Sequence, residues 1–425
     1  MLKEKAVYHY GSQGKSCSES ILLAANEVYG LALTEAEVQL FAGFRTGMGC
    51  GSTCGSLIGA IGVLSRKYAG RQDLKDLCSR FVAAFEEKMA CGSIACADLE
   101  PKYKTAEARC SAAVGLAAEA LERFISDIER PAEALTPEDI KRVKGLGCLR
   151  DKRYPDVFNV RVITRNGRIT TDEHRAIAEA ADRFGSGAVA MTTRLTMEIQ
   201  GVKYSSIQPL IDFLAAHGLS TGGTGSLVRP VVSCKGTTCQ YGLCDTYGLS
   251  EKIHETFYLG YHHVKLPHKF KIAVGGCPNN CVKPNLNDLG IIGQRTPVVE
   301  PEKCKGCKTC QVEKHCPIKI AKVVNGKISI DPEQCNGCGR CKGKCPFGAI
   351  ETYQNGFKVT VGGRWGKKVA QGQPLTKLFT TEEEVMAVVE RAIHLFRDEG
   401  IAGERFADTI NRLGFAYVND KLIGK

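Results

Sequence analysis

At 425 residues, 43% apolar and 24% charged, the chain has the material for two or three domains with hydrophobic cores, which excludes disorder as its main state. No uninterrupted apolar run reaches the roughly 18 residues of a membrane span and the first residues lack the apolar stretch of a signal peptide, so a soluble, cytoplasmic protein without a membrane partner is expected. The formal charge of +11 belongs to residues 131–425, because residues 1–130 carry 15 basic and 16 acidic groups; no long basic run or nucleic-acid module accompanies it, so a polyanionic cofactor or a small anionic substrate is the expected partner rather than nucleic acid.

Residues 1–130 read as an Ala-rich helical domain, since CSESILLAANEVYG, DLKDLCSRFVAAFEEKM and EARCSAAVGLAAEALERFISDI place apolar residues at three- and four-residue spacing. Seven cysteines fall here: Cys17, Cys50, Cys54, Cys78, Cys91, Cys96 and Cys110. Through them and GMGCGSTCGSLIGA the segment resembles the redox-active family named for a Cys, Gly-Cys-Ala-x-x-Gly, Cys, Cys pattern. The resemblance implies a metal centre or a thiol–disulfide relay; buried thiols in an Ala-rich bundle are the competing reading. GSQGKS at 11–16 is not a phosphate loop, because His9 stands where the first glycine is required. ERPAEALTPED, with two prolines and many acids, predicts a linker near 130–140.

The pattern then changes to α+β. FNVRVIT alternates as a strand, RNGR supplies a turn, and Thr170-Thr171-Asp172-Glu173 opens a helix that should end at Gly185. AVAMTTRLTMEIQG alternates again, with Thr192, Arg194 and Thr196 expected on one face, before a helix in YSSIQPLIDFLAAHG. Gly222-Gly223-Thr224-Gly225 precedes a strand instead of opening a helix, so it is no dinucleotide fingerprint. SLVRPVVSC and HKFKIAVGGC are further strands, each delivering a cysteine at its end. In Lys269-Phe270-Lys271, alternation sends both ammonium groups to one face, where they repel unless an anion lies between them.

Residues 301–351 form a cysteine cassette, and TTEEEVMAVVERAIHLFRDEG and GERFADTINRLG close the chain as helices. Cys335-x2-Cys338-x2-Cys341-x3-Cys345-Pro346 lets three thiolates wrap one cubane while the fourth, released by proline, reaches a second. Its counterpart is Cys304-x2-Cys307-x2-Cys310-x5-Cys316-Pro317, with a gap two residues longer than usual. Paired Cys-x2-Cys elements also serve zinc, but two runs each ending in Cys-Pro form the two-cluster ferredoxin pattern, so two [4Fe–4S] clusters are expected. Ten Lys/Arg against four Asp/Glu in 301–350 would raise their potentials or dock an acidic electron-donor protein.

Cys234-Lys235-Gly236-Thr237-Thr238-Cys239 is followed by Gly276-Cys277-Pro278-Asn279-Asn280-Cys281. Here the chain resembles the sirohaem-dependent nitrite/sulfite reductase family over about residues 145–415. The resemblance implies that Cys234, Cys239, Cys277 and Cys281 hold a third [4Fe–4S] cluster, with Cys281 also bridging to sirohaem. Four residues rather than five separate the first pair, and Cys244 is an additional candidate for it. It further implies that Arg161, Arg229, Lys269 and Lys271 are catalytic cations around the substrate oxyanion and that Arg194 lies near the sirohaem. The nitrite branch more often has Asn at the second Lys, so Lys271 tilts the substrate toward sulfite. Sirohaem carries eight carboxylates, to which Arg153, Arg165, Arg168, Lys203 and Lys235 are candidate partners.

The expected architecture is therefore a helical cysteine-rich domain (1–130), a sirohaem/[4Fe–4S] nitrite/sulfite reductase-like α/β domain (131–300 and 352–425) and an inserted two-cluster ferredoxin-like domain (301–351). The expected activity is six-electron reduction of sulfite to sulfide; nitrite reduction, or a sirohaem-free iron–sulfur electron carrier, are the alternatives. Longer family members contain two copies of the strand-helix unit and this chain has one, so a homodimer, or a heteromer with a related subunit, is expected to complete the site in trans.

Overall fold

The computed structural model describes residues 1–129 and 133–425. The chain divides into two compact units, Met1–Ala132 and Glu133–Lys425. Among the described residues, no helix is long and apolar enough to cross a membrane.

The first unit is helical: α1 (Leu2–Gly11), α2 (Cys17–Tyr29), α3 (Glu35–Gln39), α4 (Gly55–Lys67), α5 (Leu74–Met89), α6 (Cys96–Tyr103) and α7 (Ser111–Glu129). Its core is what the spacing predicts, with Ile21, Leu22, Leu57, Val63, Phe81, Phe85, Val114 and Leu121 buried on facing helix stripes. Ser16 and Glu19 start α2 with a reciprocal capping box, and Gly30 in the left-handed region ends it.

The expected linker near 130–140 begins outside the described residues, and its second half is not a linker. Thr136 and Asp139 form a capping box and Pro137 takes the first turn of α8 (Pro137–Gly145), where its missing N–H costs nothing. The second unit continues with β1 (Cys148–Arg150), β2 (Val157–Ile163), α9 (Thr171–Phe184), β3 (Val189–Met191), β4 (Met197–Lys203), α10 (Ile207–Ala216) and β5 (Ser220–Thr221). These strands make one antiparallel sheet, ordered β1-β2-β4-β3 with β5 on β2, and α9 and α10 cover it.

AVAMTTRLTMEIQG is a hairpin and not one alternating strand. Thr192–Thr196 make its turn, with Leu195 at φ +60° and the two Thr hydroxyls hydrogen-bonded at 2.7 Å, so the turn lifts Arg194 off the sheet face.

Next come β6 (Val232–Ser233), α11 (Thr246–Ile253), β7 (Ile272–Gly275), β8 (Leu289–Pro297), α12 (Gln311–His315), β9 (Ala321–Val324), β10 (Lys327–Ile330), β11 (Tyr353–Val361), β12 (Gln373–Phe379), α13 (Glu382–Glu399), α14 (Phe406–Leu413) and α15 (Phe415–Ile423). A second sheet runs β12-β11-β8-β7-β6, in which β6, β7 and β8 are parallel and β11 and β12 antiparallel to their neighbours. Phe270 packs against Phe396 and Phe406, at 5.9 and 5.2 Å between ring centroids, and anchors β7 to α13 and α14.

Residues 298–352 leave the sheet at the end of β8 and return on β11, which pairs along the whole of β8 from Tyr353 opposite Pro297 to Val361 opposite Leu289. This excursion has its own small core of Val312, Ala321, Ile328, Ala349 and Ile350, beside several of its cysteines. The hairpin thus fixes the cassette at the sheet end where β6 and β7 finish.

Candidate functional site

Parallel strands have two chemically different ends, and the second sheet uses both. At the ends of β6 and β7 stand Cys234 and Cys277. Cys234 Sγ accepts a hydrogen bond from the Gly276 amide at 3.1 Å, and the turn from Cys277 to Cys281 closes with Asn280 at φ +53°. Cys234, Cys239 and Cys281 all lie close enough to Cys277 to push its thiol up by repulsion, after burial. The structure therefore brings these four together. Cys244 lies behind them, its thiol pushed up to about 12 chiefly by burial; a Cβ on Gly293 of β8 would stand 2.9 Å from its sulfur. It packs against the core and also lies close enough to Cys234 and Cys277 for their repulsion to raise it further, so it borders the same group.

The eight cassette thiols sort into two groups that cross the two motifs. Cys304, Cys307, Cys310 and Cys345 line one recess, and Cys316, Cys335, Cys338 and Cys341 line another. In each, three thiols from one motif are joined by the Cys-Pro thiol of the other, the arrangement of two-cluster ferredoxins. The Gly306 amide, then that of Ile328 at 3.3 Å, holds the Cys304 thiol below its usual range, as suits a ligand that binds as thiolate. The second group borders the four-cysteine cluster at the sheet end: Arg295 of β8 bridges to Cys338, and Cys277 and Cys338 line one cleft with Tyr241, Arg295 and Arg340.

The cations gather at the opposite end of the same strands. Arg229 precedes β6, Lys269 and Lys271 precede β7, Arg161 lies on β2, and Arg194 is delivered by the β3–β4 turn. Arg194 donates to Asn287 Oδ1 at 2.8 Å and to the Pro230 carbonyl at 2.5 Å, and Arg229 donates to the carbonyls of Gly223 and Gly225. Both guanidinium groups keep a buried Nε without a partner. Burial first, then mutual repulsion, pulls Arg194 and Arg229 down to about 10, and Lys271 to about 8. The acids beside them are Glu198, paired with Arg161 at 3.2 Å, and Asp288. So much like charge in one place calls for an anion.

Sequence reasoning missed Asp288, Asn287 and Arg405. Asp288 is fully buried and accepts both the Arg405 Nη2 group, at 2.8 and 2.9 Å, and the Lys271 amide, at 2.9 Å. Asn287 and Asp288 read as an ordinary turn before β8, and Arg405 as a helix start, so only their tertiary meeting reveals them. Of the candidate carboxylate partners, Arg165 is held by Glu173 at 2.5 and 2.6 Å and Arg153 by Asp151 at 3.1 Å.

One separation governs the chemistry. Lys271 and Cys277 are at opposite ends of β7, which at about 3.3 Å per residue puts them on the order of 20 Å apart. Within one chain the cysteine cluster and the cation cluster thus stand at opposite ends of the same strands.

Residues 224–423 match the nitrite and sulphite reductase 4Fe-4S domain, residues 150–217 the nitrite/sulfite reductase ferredoxin-like half domain, and residues 15–124 the C_GCAxxG_C_C redox-active protein family. A coenzyme F420-dependent sulfite reductase of Methanocaldococcus jannaschii is 29% identical over 69% of this chain, which spans 47% of that protein's length. One of the subunits of the anaerobic sulfite reductase of Salmonella typhimurium is 28% identical over 53% of this chain and 70% of its own. The crystal structure of dissimilatory sulfite reductase I shares the fold, with a TM-score of 0.54 at 20% identity, covering 85% of this chain and 90% of that one.

Proposed function

This chain belongs, through residues 150–423, to the nitrite/sulphite reductase family, and on that premise we propose that it is a sirohaem [4Fe–4S] enzyme reducing sulfite to sulfide by six electrons. The observation that carries this reading is the cation cluster of Arg161, Arg194, Arg229, Lys269 and Lys271, with buried guanidinium nitrogens that lack partners. Such a cluster fits a polycarboxylate macrocycle and a small oxyanion together. When bound, sirohaem supplies a redox iron, which Cys281 would hold through sulfur.

The chain's own residues divide the remaining work. Arg161, Arg229, Lys269 and Lys271 bind the oxyanion, and the two lysines can give up protons as its oxygens leave as water. Asp288 orients Lys271 through its amide, and Asn287 orients Arg194. Residues 301–351 serve as a ferredoxin domain holding two clusters, one at Cys304, Cys307, Cys310 and Cys345, the other at Cys316, Cys335, Cys338 and Cys341. The second adjoins the Cys277 loop, which supports electron flow from the first cluster through the second to the cluster of Cys234, Cys239, Cys277 and Cys281. Because cations and thiols stand at opposite strand ends, each complete site takes its cations from one protomer and its thiolates from a partner.

Anaerobically isolated protein from cells that make sirohaem should show tetrapyrrole bands that shift when sulfite is added. Iron–sulfur absorption without those bands would leave only an electron carrier. Turnover of nitrite well above that of sulfite would move the substrate to nitrite.

The depressed Lys271 gives a pH test. Its ammonium deprotonates at about 8 in the folded state instead of near 10.5, so sulfite binding should weaken as pH rises through 8. Stability has the opposite sign. The unfolded chain binds the extra proton between about 8 and 10.5, so ligand-free protein should gain stability as pH climbs through that window. A KM for sulfite that is flat from pH 7 to 9 would remove Lys271 from the anion site.

A further inference from the structure

Four of the seven cysteines in the first unit converge from distant parts of its sequence. Thr53 and Ala95 pair as an isolated bridge, with the Cys54 amide donating to the Ile94 carbonyl at 2.9 Å and the Cys96 amide to the Ser52 carbonyl at 2.6 Å. That stitch sets Cys54 and Cys96 side by side. Cys17 joins them because Gly55 has no side chain: a Cβ there would collide with the Cys17 sulfur and stand 2.6 Å from the Phe44 carbonyl. Cys110 is brought in by Tyr10, whose hydroxyl accepts from the Cys110 amide at 3.3 Å, while Arg109 donates to the Tyr10 carbonyl at 2.8 Å.

All four line one cavity of about 240 Å³, together with Arg45, Ser56, Glu100, Lys104 and Arg109. Each also stands at the start of a helix of eight residues or more: Cys17 and Cys96 are the first residues of α2 and α6, and Cys54 and Cys110 immediately precede α4 and α7. Four helix starts, with their positive dipole ends, therefore surround one space, although the Glu19 amide of α2 is already capped by Ser16 and the Ser56 and Leu57 amides of α4 already serve the Cys54 sulfur. Ser56 is 1% exposed, and its hydroxyl hydrogen-bonds to the Cys54 sulfur. Three cations against one acid, Glu100, which pairs with Lys104 at 3.1 Å, together with four helix starts, favour a net-negative group held by the four thiols.

We infer that Cys17, Cys54, Cys96 and Cys110 hold a [4Fe–4S] cluster in the N-terminal unit, additional to the three proposed for the reductase unit. Four thiols around one cavity of about 240 Å³ match the ligand number of a cubane and leave room for it. The other cysteines are placed differently. Cys50 is exposed, with its thiol on the Gly47 carbonyl at 3.3 Å, Cys91 donates to the Met89 carbonyl at 3.3 Å, and Cys78 lies on α5 away from the cavity lining.

The test is iron and acid-labile sulfide per full-length chain, purified without oxygen and reconstituted with ferrous iron and sulfide. The double substitution C54S/C96S should lose about four irons and about four sulfides, whereas C50S/C78S should lose none. The reductase unit's tetrapyrrole bands should persist in both, so this result is independent of the proposed sulfite chemistry. Unchanged iron in C54S/C96S overturns the inference, as do one zinc per chain lost on that substitution or two disulfides among these thiols in the anaerobic protein. If C54S/C96S does not fold, spin counting on the fully reduced parent decides: four reduced cubanes support the fourth cluster, and three exclude it.

Discussion

Co-expressing Lys271→Met and Cys281→Ser chains should restore sulfite reduction that neither variant shows alone. Lys271→Met removes an ammonium from the cation end of β7, and Cys281→Ser removes a thiolate from the cysteine end. The two lesions lie at opposite ends of the same strand. In the proposed dimer the cation end of one protomer would meet the cysteine end of the other, so a dimer of unlike chains would contain one doubly damaged site and one intact site. Random pairing makes about half of the dimers mixed, so about a quarter of all sites, and of parental activity, should return. Turnover of the co-purified chains, with two different affinity tags to isolate the mixed species, measures this. Activity no greater than that of the separate variants, or a fully active parental monomer, would show that each chain completes its own site.

Substituting Arg405 by Met should destabilise the reductase unit by about 3–5 kcal/mol, because it strands a buried partner. Asp288 is fully buried, and its two oxygens take the Arg405 guanidinium at 2.8 and 2.9 Å. Burial already drives the Asp288 carboxyl upward, and Arg405 is the first group opposing that rise. Without it the carboxyl must stay protonated or sit charged and unpaired. A carboxyl whose folded pKa lies above its unfolded one stabilises only while protonated, so R405M should recover stability toward acid and lose it as pH rises. Denaturant midpoints at pH 5 and 8 for R405M, and for R405M/D288L, which removes the orphaned acid, measure the effect. A double variant less stable than R405M would assign the loss to packing instead. The same substitution should raise KM for sulfite, since Asp288 also fixes the Lys271 backbone.

Much of this architecture is legible from residue order alone. Helical spacing in 1–130 marks the buried stripes of the bundle, because a helix that buries one face must repeat its apolar residues every three or four positions. Thr170 and Glu173 start α9 where the capping pattern requires, and Phe270 points into the core between two lysines that do not, because alternation along a strand is geometric. Spacing also predicts that the cassette thiols divide three-plus-one across the two motifs, and the recesses divide them that way.

The expectations that fail share a cause: local pattern is overruled by local geometry. AVAMTTRLTMEIQG alternates well enough to pass for one strand, yet the Thr192–Thr196 hydroxyl contact and a left-handed Leu195 fold it into a hairpin. The linker expected near 130–140 rests on prolines and acids that, after residue 136, start a helix.

What the linear order determined by itself was local: periodicity, caps, and which thiols are close enough in sequence to share a cluster. What only tertiary structure decided was every meeting across long separations. Asp288 with Arg405, Cys17 with Gly55, and the placement of thiols and cations at opposite ends of one parallel sheet depend on strand direction and packing, which residue types and spacings do not encode singly. A parallel pair sends both of its chain ends the same way, so residues that precede β6 and β7 gather at one end of the sheet and residues that follow them at the other.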